Sequence, residues 1–273
     1  MELPENLTEV LMEEQKKENS NQTLNAVPSS HKSKSGMTSK QQPAVKRHFM
    51  LSSISEEDRA TFIEFLAKHK VPCSNTNSCD PDATHIIAQK LSRSEKMLGS
   101  IASGKWVLHS SYMEACIAAG KVLNEESFEW GNPQNSFLEQ LSPDSLEHSF
   151  AKASFRWRRV VQSGEKEGAF SGIRAILHTS APRKESFARL LQHGKGTVVS
   201  VDAPYTDPEG ATHCLAEPNK LPKVRMDYKS LAQNGVAVVG PLYLNEFVVT
   251  DPPPRVDAFL ISEFKKFWAQ RRE

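Results

Sequence analysis

No run among the 273 residues approaches the ~18 consecutive apolar residues that a membrane-spanning helix requires. The opening MELPENLTEV has neither a basic start nor an apolar core, so no secretory signal is expected. Cysteine is scarce. Cys73, Cys79, Cys116 and Cys214 stand at irregular spacings with no matching histidine pair, which argues against a disulfide framework or a zinc site and for buried, reduced thiols. An excess of either charge is lacking too. The 34 basic and 33 acidic side chains give a formal net charge of +1, against a protein held to nucleic acid mainly by phosphate neutralisation, although a local anion site stays open. Catalytic signatures are also missing. GSIASGKW has the glycines and lysine of a phosphate loop but puts Trp106 where a magnesium-binding hydroxyl must stand, and neither G-x-S-x-G nor G-x-G-x-x-G occurs. These absences point to a soluble, intracellular, non-catalytic chain with no metal or cofactor.

What is present begins with a change of texture. Residues 1–45 are polar, with scattered apolar side chains and no sustained period. Such a stretch cannot bury enough apolar surface to offset the entropy of ordering, so a disordered tail is expected. From Arg47 onward the pattern is that of a folded α/β unit. HFMLSS (48–53) reads as a strand, and Ser55 with Asp58 as a capping box for a helix carrying Phe62, Phe65, Leu66 and His69. ATHIIA (83–88) reads as a buried strand. Ser92 and Glu95 suggest a second capping box, opening a helix that turns Met97, Leu98 and Ile101 inward. KWVLHS is a strand with Trp106 in the core, and SYMEACIAAGK a helix closed by Gly120.

The same order restarts at Ile173: IRAILHTS, the helix RKESFARLLQHG, TVVSV, ATHCLA, the helix YKSLAQNG, VAVVG, and a last helix LYLNEFVVT. ATHIIA and ATHCLA stand 128 positions apart, at 83 and 211. First strand to Ala-Thr-His is 32 residues in one copy (Leu51 to Ala83) and 34 in the other (Leu177 to Ala211). Order and spacing together mark a tandem repeat. The expected division is a tail at 1–45, a first repeat at 46–131, a linker at 132–167 and a second repeat at 168–273. Within the linker, Ser142–Pro143 suits a helix start, and Leu146, Phe150, Ala153, Trp157 and Val160 make one apolar stripe. That helix must lie against the repeats as a brace, with Arg156, Arg158 and Arg159 as its solvated face.

The motifs THII, GKWVL and SYMEACIAAGKVLNEESFEW, with EKMLGSIASGKW, RWRR and EGAFSG, resemble the BRCT family over about residues 47–270. Within it the motifs look like those of the terminal pair of a long multi-repeat scaffold. The resemblance implies two BRCT repeats, each a small parallel sheet flanked by helices, that recognise phosphoserine or phosphothreonine peptides in the DNA damage response. It implies a phosphate pocket in the first repeat from Ser52, the neighbouring Ser53 and Lys96, with Arg59 and Arg93 as further basic residues. The physics agrees. A phosphate brings a charge of about −1.5 to −2 and three strong acceptors, which suits hydroxyl and amide donors near helix N-termini with a cation in reach. Arg93 and Lys96, three apart, would share the first turn of their helix. Outside that context, Ser52–Ser53 is ordinary turn chemistry and the two cations ordinary solvated ones.

In the second repeat Gly240–Pro241 stands where the close relative offers an arginine, which weakens a preference for acidic residues after the phosphosite; Arg183 borders the same groove as a compensating cation. His85 and His213 are expected to satisfy backbone groups at the strand entries rather than to catalyse. By resemblance the partners are phosphorylated nuclear proteins, a Fanconi-type repair helicase or an autophosphorylated checkpoint kinase, and the location is the nucleus. Two rivals are direct binding of DNA ends, disfavoured by the neutral charge, and phosphorylation-independent protein docking.

Overall fold

The computed structural model describes residues 46–135, 141–217, 219, 221 and 225–271. The tail expected at 1–45 lies outside the described residues. Two four-stranded, all-parallel sheets form the frame. In the first, β1 (Phe49–Ser52), β2 (Cys73–Ser74), β3 (His85–Ala88) and β4 (Trp106–Leu108) take the order β2-β1-β3-β4. In the second, β5 (Arg174–His178), β6 (Thr197–Val198), β7 (His213–Ala216) and β8 (Ala237–Val239) take the order β6-β5-β7-β8. Register repeats as well as order: Leu51 faces Ile87 and Ser52 faces Ala88, as Leu177 faces Leu215 and His178 faces Ala216. Strands covered on both faces lose the polar–apolar alternation and become short apolar runs, which is how HIIA and HCLA read.

Helices α1 (Glu56–Lys68), α2 (Glu95–Ala102) and α3 (Ser111–Ala119) flank the first sheet, and α4 (Leu146–Gln162) joins the repeats. Helices α5 (Ala181–His193), α6 (Tyr228–Gln233) and α7 (Leu242–Val249) flank the second. A further helix, α8 (Lys265–Gln270), follows the one expected to be last and buries Trp268. Two helix starts differ from expectation. Ser94, not Ser92, caps α2 by accepting from the Met97 amide, because the Glu95 carboxylate is held by Arg189 and Ser186 of α5 and is not free to complete a box. Helix α4 starts at Leu146, capped by Ser145 through the His148 amide, so Ser142–Pro143 lies ahead of it in a turn.

The linker's basic residues are not a solvated face. Arg158 is 5% exposed and forms a two-pronged ion pair with Glu129, which is fully buried. Its guanidinium carbon lies 3.7 Å from the Trp106 ring centroid. That tryptophan, expected in the core, is only partly buried; Arg158 lies over its ring and the His85 ring runs parallel to it. Arg156 donates to the Val248 and Thr250 carbonyls at 2.8 and 2.9 Å, and Trp157 Nε1 to Val248 at 2.8 Å. Of the three arginines Arg159 alone is exposed. One face of α4 thus grips the first repeat and another the second. The apolar core is continuous between repeats: Met97, Leu98 and Ile101 of α2 pack in one cluster with Leu190, Leu191 and Leu244.

The duplicated Thr-His pair does the same local work twice. Thr84 Oγ1 accepts the His48 amide, and Thr212 Oγ1 accepts the Arg174 amide, each holding the entry of the neighbouring strand. In both copies the histidine Nδ1 bonds the threonine hydroxyl. The copies differ at Nε2. His85 meets Glu125 at 3.1 Å, itself held by Arg47 at 2.6 Å, whereas the buried His213 Nε2 has no partner among the described residues. Burial pushes Glu125 up, but hydrogen bonds from His85 and Arg47 outweigh it and bring the carboxyl to about 2. Burial alone pushes His213 down to about 4. A histidine harder to protonate folded than unfolded supplies stability in full above its unfolded value of ~6.5, lost as pH falls toward 4. Urea unfolding should therefore show about 1–2 kcal/mol more loss between pH 7 and pH 5 for the native chain than for His213→Gln. Equal losses would mean that His213 titrates normally.

Candidate phosphate-binding site

The carboxyl end of β1, the start of α1 and the start of α2 converge on one side of the first sheet. Ser52 is the last residue of β1, and Ser53 follows with φ of 54°, a left-handed turn that sends the chain toward the Ser55 cap. Ser55 accepts from the Asp58 amide and donates its hydroxyl to the Asp58 carboxylate at 2.6 Å, so the expected cap is present, but Asp58 takes the Ser55 hydroxyl rather than the Ser55 amide that a full capping box would engage. Lys96 is the second residue of α2, and its stem is buried, leaving 9% of the residue exposed. Its ammonium donates to the Leu51 carbonyl at 3.2 Å, on the peptide leading into Ser52, and to the Thr76 carbonyl. An ammonium has three N–H groups, so one remains for a ligand.

No carboxylate pairs with Lys96 among the described residues. Burial first, then the neighbouring Arg59, pull its pKa below the usual lysine value. A buried cation whose charged neighbour is another cation is costly unless an anion completes the group. Lys105 makes the contrast. It too is buried, donates to two carbonyls, of Pro81 and Ala83, and is pulled below the usual lysine value by burial, but Asp80 and Asp82 lie near it and favour its charge. Lys105 is a structural lysine. Lys96 is the one with an unbalanced charge.

Arg59 reaches the same place from α1, its Nη1 donating to Asn75 Oδ1 at 3.1 Å. The segment after β2 therefore sets both cations: Asn75 orients Arg59, and the Thr76 carbonyl orients Lys96. Neither residue was found by sequence reasoning. The polar run SNTNS offers no periodicity, and nothing local says that it folds back over α2. Asn75→Ala should weaken binding of a phosphoserine peptide about three- to tenfold, the usual scale of one hydrogen bond, with an unchanged thermal midpoint. Anisotropy titration checks this; an unchanged affinity would leave Asn75 a loop residue only.

Arg93 and Arg183 stand elsewhere. Arg93 precedes α2 rather than sitting in its first turn, and it pairs with Glu246 of α7 at 3.1 Å. It therefore does not share a helix face with Lys96. Arg183 pairs with Glu217, so it is not the free compensating cation expected opposite Gly240–Pro241. Arg93 and Arg183 border the groove between repeats, about 300 Å³, whose walls include Leu98, Pro182, Phe187 and Asn245. A third pair, Arg189 with Glu95 at 2.6 Å, closes the same α2–α5 contact.

Two parallel four-stranded sheets of one order and register, flanked by helices and braced by a linker helix, constitute the tandem BRCT fold. The family model for the BRCT domain of Regulator of Ty1 transposition protein 107 matches residues 30–130. The paired BRCT5–BRCT6 domains of Brc1 from S. pombe superpose with a TM-score of 0.58 at 14% identity, covering 81% of this chain and 99% of that one. Among full-length proteins, the SMC5-SMC6 complex localization factor protein 1 of Mus musculus is 29% identical over 210 residues, 76% of this chain and 18% of that protein. Its Bos taurus counterpart is 34% identical over 137 residues, half of this chain and 12% of that protein. The chain thus spans less than a fifth of the length of these relatives.

Proposed function

We propose that the chain is a non-catalytic adaptor that docks a phosphorylated serine or threonine segment of a nuclear protein in DNA repair. The observation that carries this reading is Lys96, buried, without a carboxylate, facing Arg59 and lying against the peptide that leads into Ser52. Ser52 and Ser53 supply hydroxyl and amide donors on the near side, and Lys96 and Arg59 the charge. The sequence likeness to the C-terminal BRCT pair of DNA topoisomerase II-binding protein supports a checkpoint role, with a Fanconi-type helicase or an autophosphorylated kinase as ligand. Similarity to proteins named for localising the SMC5-SMC6 complex supports a chromatin scaffold instead of an isolated sensor. Because each arginine bordering the groove is already on a glutamate, the residues after the phosphosite are not acidic; apolar ones fit its Leu98 and Phe187 walls.

Fluorescence anisotropy against a phosphoserine peptide library, with each hit repeated after phosphatase treatment, tests the reading. Binding should be on the order of micromolar, about −8 kcal/mol, and vanish with the phosphate. Equal affinity before and after phosphatase would favour phosphorylation-independent docking. A preference for duplex ends with a steep salt slope would favour DNA-end binding.

A further inference from the structure

Ser142–Pro143 is the only serine- or threonine-proline step in the 273 residues. Both residues are exposed, and they lie in a turn, where the Ser145 amide donates to the Ser142 carbonyl at 2.9 Å, ahead of the first helical residue, Leu146. The nearby Ser145 hydroxyl is engaged as the helix cap, whereas that of Ser142 bonds nothing among the described residues. Ser142, Pro143, His148 and Lys152 line one groove, and His148 and Lys152, four apart, share a face of α4. Lys152 is exposed and pairs with no carboxylate among the described residues.

We propose that Ser142 is a phosphoacceptor for a proline-directed serine/threonine kinase, and that its phosphate docks on His148 and Lys152 at the head of the brace helix. In the transfer, Ser142 Oγ bonds to the γ-phosphorus of ATP and the bond from that phosphorus to the β,γ-bridging oxygen breaks. ADP leaves, and the hydroxyl proton passes to the kinase's general base. The product puts a charge of about −1.5 to −2 ahead of a 17-residue helix, the end at which negative charge is favoured. This site lies on the linker and is independent of the Lys96 pocket.

The full chain is incubated with a proline-directed kinase and ATP, and phosphosites are mapped by mass spectrometry. One phosphate on Ser142 is expected, retained in Ser145→Ala and lost in Ser142→Ala and Pro143→Ala. An unmodified native chain, or a phosphate that persists in Ser142→Ala, overturns the acceptor assignment. Phosphorus NMR then reads the docking: the phosphate should titrate about 0.5–1 unit below its free value of ~6, and Lys152→Met should reverse most of that shift. A phosphate titrating at its free value in the native chain overturns the docking on His148 and Lys152.

Discussion

Lys96→Met is expected to abolish routinely measurable binding of a phosphoserine peptide while the chain stays folded. Two contributions set the size. Each charge-assisted hydrogen bond to phosphate contributes ~1.5–3 kcal/mol, roughly a ten- to 150-fold change in affinity. The lost ammonium also leaves Arg59 alone to face the ligand's charge. From an affinity on the order of micromolar, the variant falls to tens or hundreds of micromolar, past the range of a routine titration. Methionine keeps the buried stem; the carbonyl of the exposed Thr76 then takes water instead of the ammonium, while that of the buried Leu51 loses one donor, a cost of about 1 kcal/mol that the fold can bear. Lys96→Arg is the second variant. It preserves charge but replaces a compact three-donor head by a planar fork, and should recover only part of the affinity.

A pH series separates charge from packing. Phosphate gains its second charge above ~6, and Lys96, already depressed, loses its proton sooner than an ordinary lysine as pH rises. Affinity should rise through pH 6 and fall again on the alkaline side, with the alkaline limb absent from Lys96→Met. Retained affinity in a folded Lys96→Met protein would remove the pocket from the ligand's path.

Much of this candidate site is legible in the sequence. Ser52 and Lys96 stand at the end of the first strand and the head of a helix, and parallel topology brings those two ends to one edge of the sheet. What could not be read is pairing across long stretches of sequence. Arg158 follows Trp157 of the apolar stripe, and it is the charge of Glu129, 29 positions earlier, that makes its burial tolerable. Ser92 and Ser94 are equally good caps on paper. The choice is made by Arg189, 94 positions beyond Glu95, which takes the carboxylate a capping box would need. Arg93 likewise turns from the pocket to Glu246, 153 positions away. Asn75 and Thr76 belong to the same class: their role depends on a loop closing over a helix, which leaves no mark in a window of local sequence.

The second large effect follows from that hidden pair. Arg158→Ala should cost about 3–5 kcal/mol, the scale for removing one partner of a buried ion pair, because the fully enclosed Glu129, already pushed up by burial, would lose the cation that favours its charge and must either stay unpaired or take up a proton. Asn132 Nδ2, 3.1 Å from Glu129 Oε2, is a neutral donor and offsets only part of the loss. The stack on Trp106 goes as well. Such a loss is a large fraction of the 5–15 kcal/mol that holds a typical domain together. It should not stay in the first repeat. The same helix is fastened to the second repeat through Trp157 and Arg156, and the apolar core runs through both. Urea unfolding followed by tryptophan fluorescence should thus show one transition moved to lower urea, not an early phase split from a late one. The double variant Glu129→Gln/Arg158→Met removes both charges at similar volume and should regain at least half of the loss. A cost under 1 kcal/mol for Arg158→Ala would show that water reaches Glu129. A split transition would show that α4 tethers the two repeats without coupling their stability.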